Sequence, residues 1–318
     1  MVRLALVGCG EHSRSSHAAP LARYAARHPG EIELVAACDL SADRAAQFCR
    51  EFGFQRAYTE VEKMLATESL DGCVCVMPME HIVDGAIQFL ERGMPCVIEK
   101  PLGTSLAEAE KLARAARETN TPHMVSVNRR FVPYLNRARS WSNERGPLQY
   151  VRATQVRHAR SEPDFIWSTA IHVLDALRHI AGEITDFDAE ILRQPGLSGF
   201  WYVISLRFES GAKGRIEVLP TAGMVEESYE LFGEGYRARV TAGSGTQRSL
   251  ECWQDGQIVI EEKASENEPE DLRNGAYQEV EEFVRALQTG TRPRPGVEDI
   301  LPSARICFAI AGSIAEQL

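Results

Sequence analysis

The chain has 318 residues, 44% of them apolar and 25% charged. That mixture fits a folded protein of two ordinary domains or one large one, and excludes disordered, collagenous and coiled-coil chains. The formal charge of −10 repels phosphate backbones and argues against nucleic acid as a partner, yet leaves room for a local basic pocket that takes a small anion.

Eight cysteines lie mostly inside apolar runs, such as those at 34–38 and 74–77. They read as buried free thiols of a reducing compartment. No CxxC pair meets a second such pair or a His pair, so no metal is expected. No apolar run reaches the length of a membrane span, and Val2 opens a strand with no leader before it. The expectation is a cytoplasmic protein with no membrane partner.

Strand and helix signals alternate over the first 125 residues. Residues 2–7 form an apolar strand that stops at Gly8-Cys9-Gly10, and a helix is predicted over 17–27. The strand at 32–38 ends at Asp39. Ser41 caps a helix that runs to Phe52 and stops at Gly53. The stretch from Thr59 to Glu62 reads as a capping box for a short helix. Further strands are predicted at 72–77, 95–98 and 123–127, with helices at 82–92 and from Ser105 to about 118. Continuous apolar strands alternating with helices imply an α/β domain whose parallel sheet is covered on both faces. Its predicted extent is 1–122.

The pattern then changes. Residues 128–148 are rich in Arg, Asn and Pro, and one helix is predicted over 167–181, stopped by Gly182. From there to about 262 the period is two: Tyr202, Ile204, Leu206 and Phe208 share a face, as do Ile216 and Val218. Asp255-Gly256 is a hairpin turn. The acidic run 261–271 reads as an exposed loop. Helices at 277–289 and 297–317 close the chain, the last with Ile306, Ile310 and Ile314 on one face. Residues 123–318 are thus expected to form an α+β domain with an antiparallel sheet, its last helix able to pack back on the first domain.

Gly8-Cys-Gly10-Glu11-His12-Ser13 fits GxGxxG with Ser in place of the third glycine. It follows a strand and precedes a helix, where a dinucleotide-binding fold places its phosphate turn. Glycine lets the backbone approach a pyrophosphate, and the helix start supplies N–H groups and a positive dipole end. Asp39 ends the second strand, where a carboxylate accepts hydrogen bonds from ribose hydroxyls and repels a 2′-phosphate, favouring NAD over NADP. Taken alone, Asp39 also reads as a turn residue before the Ser41 cap. Arg44 is close enough in sequence to meet a phosphate, so NADP stays open. A methyltransferase opens in the same way, but the long antiparallel second domain argues against one.

Met77-Pro78-Met-Glu-His81 and Glu99-Lys100-Pro101 end two successive strands, where an α/β sheet has its ligand crevice. A strand-end lysine is ordinarily a solvated charge; the neighbouring Glu99 and Pro101 favour an active-site role. Together these motifs resemble the Gfo/Idh/MocA oxidoreductases. The resemblance runs nearly end to end. It includes His17 after the glycine turn, Pro78-x-x-His81, Glu99-Lys100-Pro101, Asn128-Arg129-Arg130-Phe131-x-Pro133, His172-x-x-Asp175 and the closing segment 277–315.

The resemblance implies a Rossmann domain with a doubly wound parallel sheet. After it comes an α+β domain with an open-faced, mostly antiparallel sheet that forms a homodimer or homotetramer. It implies NAD(P)-dependent hydride transfer to or from a hydroxyl or ketone of a sugar, cyclitol or derivative. The cofactor would then meet Gly8, Gly10, Glu11, His12, Asp39, Met77, Pro78, His81, Glu99, Lys100 and Asn128. The substrate would meet Lys100, Arg130, Ser168, Thr169 and His172. Lys100 and His172 would be catalytic, one polarising the substrate oxygen and the other moving its proton.

One position departs from the family pattern. Inositol-dehydrogenase-like members carry Asp four residues before the histidine; here Ser168 stands there and cannot take a proton. Lys100 and His172 then suffice with Ser168 or Thr169 hydrogen-bonding the substrate, or Asp164 supplies the carboxylate, or catalysis is weakened; Asp175, one turn after His172, would orient its ring. Arg157 and His158 follow the strand at 149–156 and either line the pocket or, as the simpler reading, are solvated charges; Trp201, Tyr202 and Trp253 read as sheet packing rather than sugar stacking. Two other functions suit the same scaffold: a non-catalytic NAD(P)-binding regulator, and a variant that oxidises a sugar transiently to cleave a glycosidic bond.

Overall fold

The computed structural model describes residues 1–317 except 194, 195, 197, 243–246 and 266, with backbone only over 314–317. The expectation for the Ile314 side chain therefore lies outside the described residues. The chain forms two compact units, Met1–Val127 with Ala276–Ala304, and Asn128–Gly275 with Arg305–Leu318.

In the first unit, β1 (Val2–Val7), β2 (Ile32–Cys38), β3 (Arg56–Tyr58), β4 (Gly72–Cys75), β5 (Cys96–Glu99) and β6 (His123–Ser126) form a parallel sheet. The order is β3-β2-β1-β4-β5-β6. The connections are α1 (Glu11–Ser13), α2 (Ala19–Arg27), α3 (Ala42–Phe52), α4 (Val61–Thr67), α5 (Ile82–Glu91) and α6 (Leu106–Thr119). Strand order reverses at β1 and β4, so the crevice opens at their carboxyl ends. The caps follow the sequence: the Ser41 hydroxyl accepts the Arg44 N–H, the Ser105 hydroxyl accepts the Glu108 N–H, and Gly53 turns left-handed at φ 85°. Each side-chain cap is worth about 1 kcal/mol. Ala109, Leu112, Ala113 and Ala116 give α6 one buried stripe, at the spacing of a helix face.

Three expectations for this unit are corrected. The helix predicted over 17–27 begins instead at Glu11, and a π-helical stretch, Arg14–Ala18, joins α1 to α2. Thr59 does not cap α4, because Glu60 occupies the N-cap and makes no side-chain cap bond. The join falls after Val127 rather than at 122, because β6 pairs with β5 from Cys96↔His123 to Glu99↔Ser126.

The second unit starts with a 3₁₀ turn at Asn128–Phe131 and α7 (Pro133–Asn143). Next come β7 (Tyr150–Val156), α8 (Phe165–Ser168), α9 (Ile171–Ala181), β8 (Ile184–Leu192), β9 (Trp201–Phe208), β10 (Lys213–Leu219) and β11 (Glu226–Gly233). The sheet is completed by β12 (Tyr236–Thr241), β13 (Ser249–Gln254) and β14 (Gln257–Lys263), followed by α10 (Glu270–Asn274). The order is β14-β13-β12-β11-β7-β10-β9-β8, antiparallel throughout except for the parallel pair β7/β10. Tyr202, Ile204, Leu206 and Phe208 are buried along β9, while Ser205 and Arg207 between them are exposed; one face is core and the other open. Asp255 (φ 51°) and Gly256 (φ 79°) make the hairpin turn between β13 and β14. The acidic run is not one exposed loop: Glu261–Lys263 end β14, and Asp271 is buried in α10.

α11 (Ala276–Thr289) and the start of α12 (Val297–Gln317) return to the first unit. A Cβ on Gly72 would come 3.0 Å from both Phe283 and Leu287, so α11 lies tight against the start of β4. No helix among the described residues is long and apolar enough to cross a membrane.

Candidate active site

In the first unit the site is built around the end of β1. Gly8 has φ 89°, and a Cβ there would lie 1.7 Å from the Val76 carbonyl oxygen, so this position tolerates only glycine. Gly10 is different. Its backbone is extended (φ −88°, ψ −179°), and nothing lies within 4 Å of where its Cβ would be. Directly after it the helical run from Glu11 begins, with no side-chain cap on its first N–H groups. A side chain at residue 10 would fill the space that a pyrophosphate needs to reach these donors.

Asp39 lies directly beside the turn. Its Oδ2 accepts the Cys9 N–H at 2.8 Å, and its Oδ1 accepts the Ser41 N–H at 2.8 Å. Arg44 donates to Oδ1 as well, Nε at 3.0 Å and Nη2 at 2.6 Å. Burial pushes the Asp39 carboxyl up, but hydrogen bonds from Arg44, Ser41 and Cys9 outweigh it and hold the group below its ordinary range. Burial, aided by Asp39, raises the Cys9 thiol to about 12, and burial raises Cys38 to about 11. Neither thiol is a nucleophile at neutral pH.

Glu99 ends β5. His12 Nε2 and His17 Nε2 both bond its Oε1, at 2.9 Å and 2.8 Å. Burial disfavours this carboxylate, yet the two imidazoles hold it well below the ordinary range. Lys100 follows, half-buried, and the Lys100–Pro101 bond is cis. At the end of β4, Met77 lies over α5: a Cβ on Gly85 would come 2.1 Å from the Met77 sulfur. Pro78 accepts the His81 N–H at 2.9 Å and starts a 3₁₀ turn. Gly8, Gly10, Glu11, His12, Asp39, Met77, Pro78, His81, Glu99 and Lys100 thus share the carboxyl-end side of one sheet, with Gly10, Glu11, His12, Pro78 and His81 exposed.

The remaining predicted residues belong to the second unit. Asn128 donates its amide to the Asn274 carbonyl at 2.8 Å and accepts from Arg129 at 2.9 Å. Arg130 points its fork at Asp175, Nε–Oδ2 2.7 Å and Nη2–Oδ1 2.8 Å. These bonds tie Arg130 to α9, and Arg178 Nη1 lies 3.8 Å from the same Asp175 carboxylate. Ser168 and His172 are both buried. They do not share a regular helix. The helix predicted over 167–181 breaks after Ser168, where the Thr169 and Ala170 N–H groups both bond the Phe165 carbonyl and the His172 N–H bonds that of Thr169. Thr169 Oγ1 meets Arg160 Nη2 at 3.5 Å.

Arg157 is not a solvated charge. Its Nη2 bonds the fully buried Glu227, to which Arg129 also donates, Nε–Oε2 2.9 Å and Nη2–Oε1 2.7 Å. Sequence reasoning passed over Glu227. The available signal was its phase: it shares the inward face of β11 with Tyr229 and Leu231.

Residues 2–128 match a family described as oxidoreductase, NAD-binding Rossmann fold, with the label Gfo/Idh/MocA. Residues 2–128 carry the NAD-binding Rossmann domain of the Gfo/Idh/MocA family. A 4-carboxy-2-hydroxymuconate-6-semialdehyde dehydrogenase from Sphingobium sp. is 24% identical over 302 residues, 90% of this chain and 91% of that one. An inositol 2-dehydrogenase from Corynebacterium glutamicum is 24% identical over 267 residues, 79% and 76% of the two chains. The crystal structure of a dehydrogenase from Chromobacterium violaceum has the same fold, with TM-score 0.86 at 19% identity over 100% and 97% of the chains. The first unit therefore has the NAD-binding Rossmann domain of an oxidoreductase family, and its open glycine turn and Asp39 suit that cofactor.

Proposed function

We propose that the protein transfers hydride between NAD(P) and a hydroxyl or ketone carbon of a sugar, cyclitol or derivative. The observation that carries this reading is the grouping at the carboxyl ends of the parallel sheet. The open space above Gly10, the Asp39 carboxylate and Lys100 lie on one side of it. The backbone of 8–12 would hold the pyrophosphate and Asp39 the adenine ribose. The cofactor supplies the hydride acceptor or donor. Lys100 donates a hydrogen bond to the substrate oxygen and stabilises its alkoxide character. His172 takes up or returns the hydroxyl proton through its imidazole. The buried Ser168 positions without exchanging a proton. Asp39 favours NAD; Arg44, already beside it, lowers the barrier to NADP. The two curated relatives span neutral and carboxylated substrates, which supports a polyol or an oxo acid as the class. The open sheet face of the second unit is the surface through which a dimer or tetramer would form.

Nicotinamide reduction across a panel of polyols, sugars and sugar acids tests the reading. Lys100→Met should lower turnover by roughly 10²–10⁴-fold, with NADH affinity within a few-fold of wild type. Undiminished turnover in that variant would remove Lys100 from the mechanism. Tight NADH binding without turnover of any compound would favour the regulatory alternative.

A further inference from the structure

The second unit encloses a cavity of about 140 Å³ whose charged and polar lining is Arg129, Arg157, Arg248, Glu227, Glu270 and Asn274. Three guanidiniums face two carboxylates there, an excess of one positive charge in a chain whose formal charge is −10. The excess arises from sharing. Glu227 is fully buried and accepts from Arg129 and from Arg157. One carboxylate balances one of these two largely buried guanidiniums. Across the cavity, Arg248 directs Nη1 and Nη2 at Glu270, the first at 2.9 Å, and Arg273 adds a contact to the same carboxylate at 3.3 Å. Arg157 spends Nη1 on the Val156 carbonyl and Nη2 on Glu227. Its Nε makes no hydrogen bond among the described residues.

Buried charge is normally paired, and removing a guanidinium from water without a counter-charge is costly. Glu227 cannot relieve the imbalance by changing protonation. Burial disfavours its charge, but Arg129 and Arg157 hold the carboxyl well below the ordinary range. The two carboxylates also fix the arginine forks, which are matched in geometry to oxyanions. At ~30 Å³ per water, the cavity has room for a carboxylate group with its neighbouring carbons.

We propose that this cavity binds a small organic carboxylate and selects acidic over neutral substrates. The binding claim stands on the second unit alone; the selection claim rests on the oxidoreductase function proposed above. Calorimetric titration of the full chain with D-glucuronate, D-glucose and sodium sulfate, at one ionic strength set by sodium chloride, tests the first. NADH titration by fluorescence and nicotinamide reduction test the second.

Glucuronate should bind where glucose does not. Arg157→Gln should weaken it at least tenfold while NADH affinity stays unchanged. Glu227 keeps Arg129 in that variant, and Asn274→Asp gives a second route that preserves volume and adds a negative charge to the lining. Binding of sulfate without glucuronate would assign the cavity to a free inorganic anion and overturn its role in substrate choice. Binding of neither beyond the chloride control would overturn the site. Reduction of NAD by neutral sugars and by no acid would overturn the selection and leave the oxidoreductase. Glucuronate binding in a protein that turns over nothing would do the reverse.

Discussion

Two glycines two residues apart are expected to respond oppositely to the same substitution. In Gly8→Ala the new methyl carbon would lie 1.7 Å from a backbone oxygen, Val76 O, at φ 89°. A left-handed Ala costs about 1–2 kcal/mol, and overpacking that a backbone neighbour cannot relieve costs about 1–3 kcal/mol more. The sum, roughly 2–5 kcal/mol, is a large part of a typical stability of about 5–15 kcal/mol. The end of β1 has no freedom to shift, since Gly8 N–H bonds the Cys38 carbonyl and Val76 N–H bonds the Val7 carbonyl, each at 2.8 Å. In Gly10→Ala the methyl enters open space on an extended backbone, so stability should stay within about 1 kcal/mol, with a small gain from the unfolded state. The cost moves to the ligand: NADH should bind at least about tenfold more weakly, about 1.4 kcal/mol. Urea unfolding gives the first quantity and fluorescence titration of NADH the second. If Gly10→Ala destabilises the fold and spares NADH binding, the space above Gly10 is not the pyrophosphate site.

Arg44→Ala removes the cation beside Asp39 and leaves a bare carboxylate facing any 2′-phosphate. Repulsion of a few kcal/mol at an effective dielectric near 20 should lower the NADP-to-NAD ratio of kcat/KM by roughly 10–100-fold. Because Arg44 is more than half exposed, stability should change by less than about 1 kcal/mol. Glu99→Gln tests the double imidazole bond. The Glu99 pKa is depressed in the fold, so its stabilisation is fully present above the unfolded carboxylate value of about 4.3 and is lost as pH falls through the depressed one. The variant should be about 1–3 kcal/mol less stable at neutral pH, a gap that closes below about pH 4 in acid titrations; a gap independent of pH contradicts the assignment. Ser168→Asp should not raise turnover, because the break after Ser168 removes the one-turn relation to His172 and the new carboxylate would be buried. A tenfold gain in kcat would show that the break does not matter.

Much of the first unit was legible because its signals are local. Ser41, Gly53 and Ser105 act on backbone groups within four residues, and apolar runs such as 32–38 bury themselves wherever the sheet places them. The misses have non-local or competing causes. Nothing in 165–172 is a glycine or proline, so the break at Thr169–Ala170 leaves no punctuation to read. Thr59 has the right spacing for a cap but lies one residue too early. Arg157 looked solvated because its partner is seventy positions away. The pairing of β7 with β11, Glu227↔Gln155 and Glu226↔Val156, brings the two together, and that register is a property of the whole sheet. The glycine turn, Asp39 and the Glu99-Lys100-Pro101 strand end were readable, whereas the arginine-lined cavity emerges only when five separate parts of the chain meet.

The path of the chain also has a consequence for synthesis on the ribosome. Residues 276–304 complete the first unit, yet 128–275 are made between its two parts. At about 5–20 residues per second the nascent sheet waits roughly 7–30 s for α11. Until Phe283, buried in the finished protein, and Leu287 arrive against the start of β4, an apolar surface stays open to water. That interval is when a chaperone would engage this chain, and slow codons within 128–275 would lengthen it.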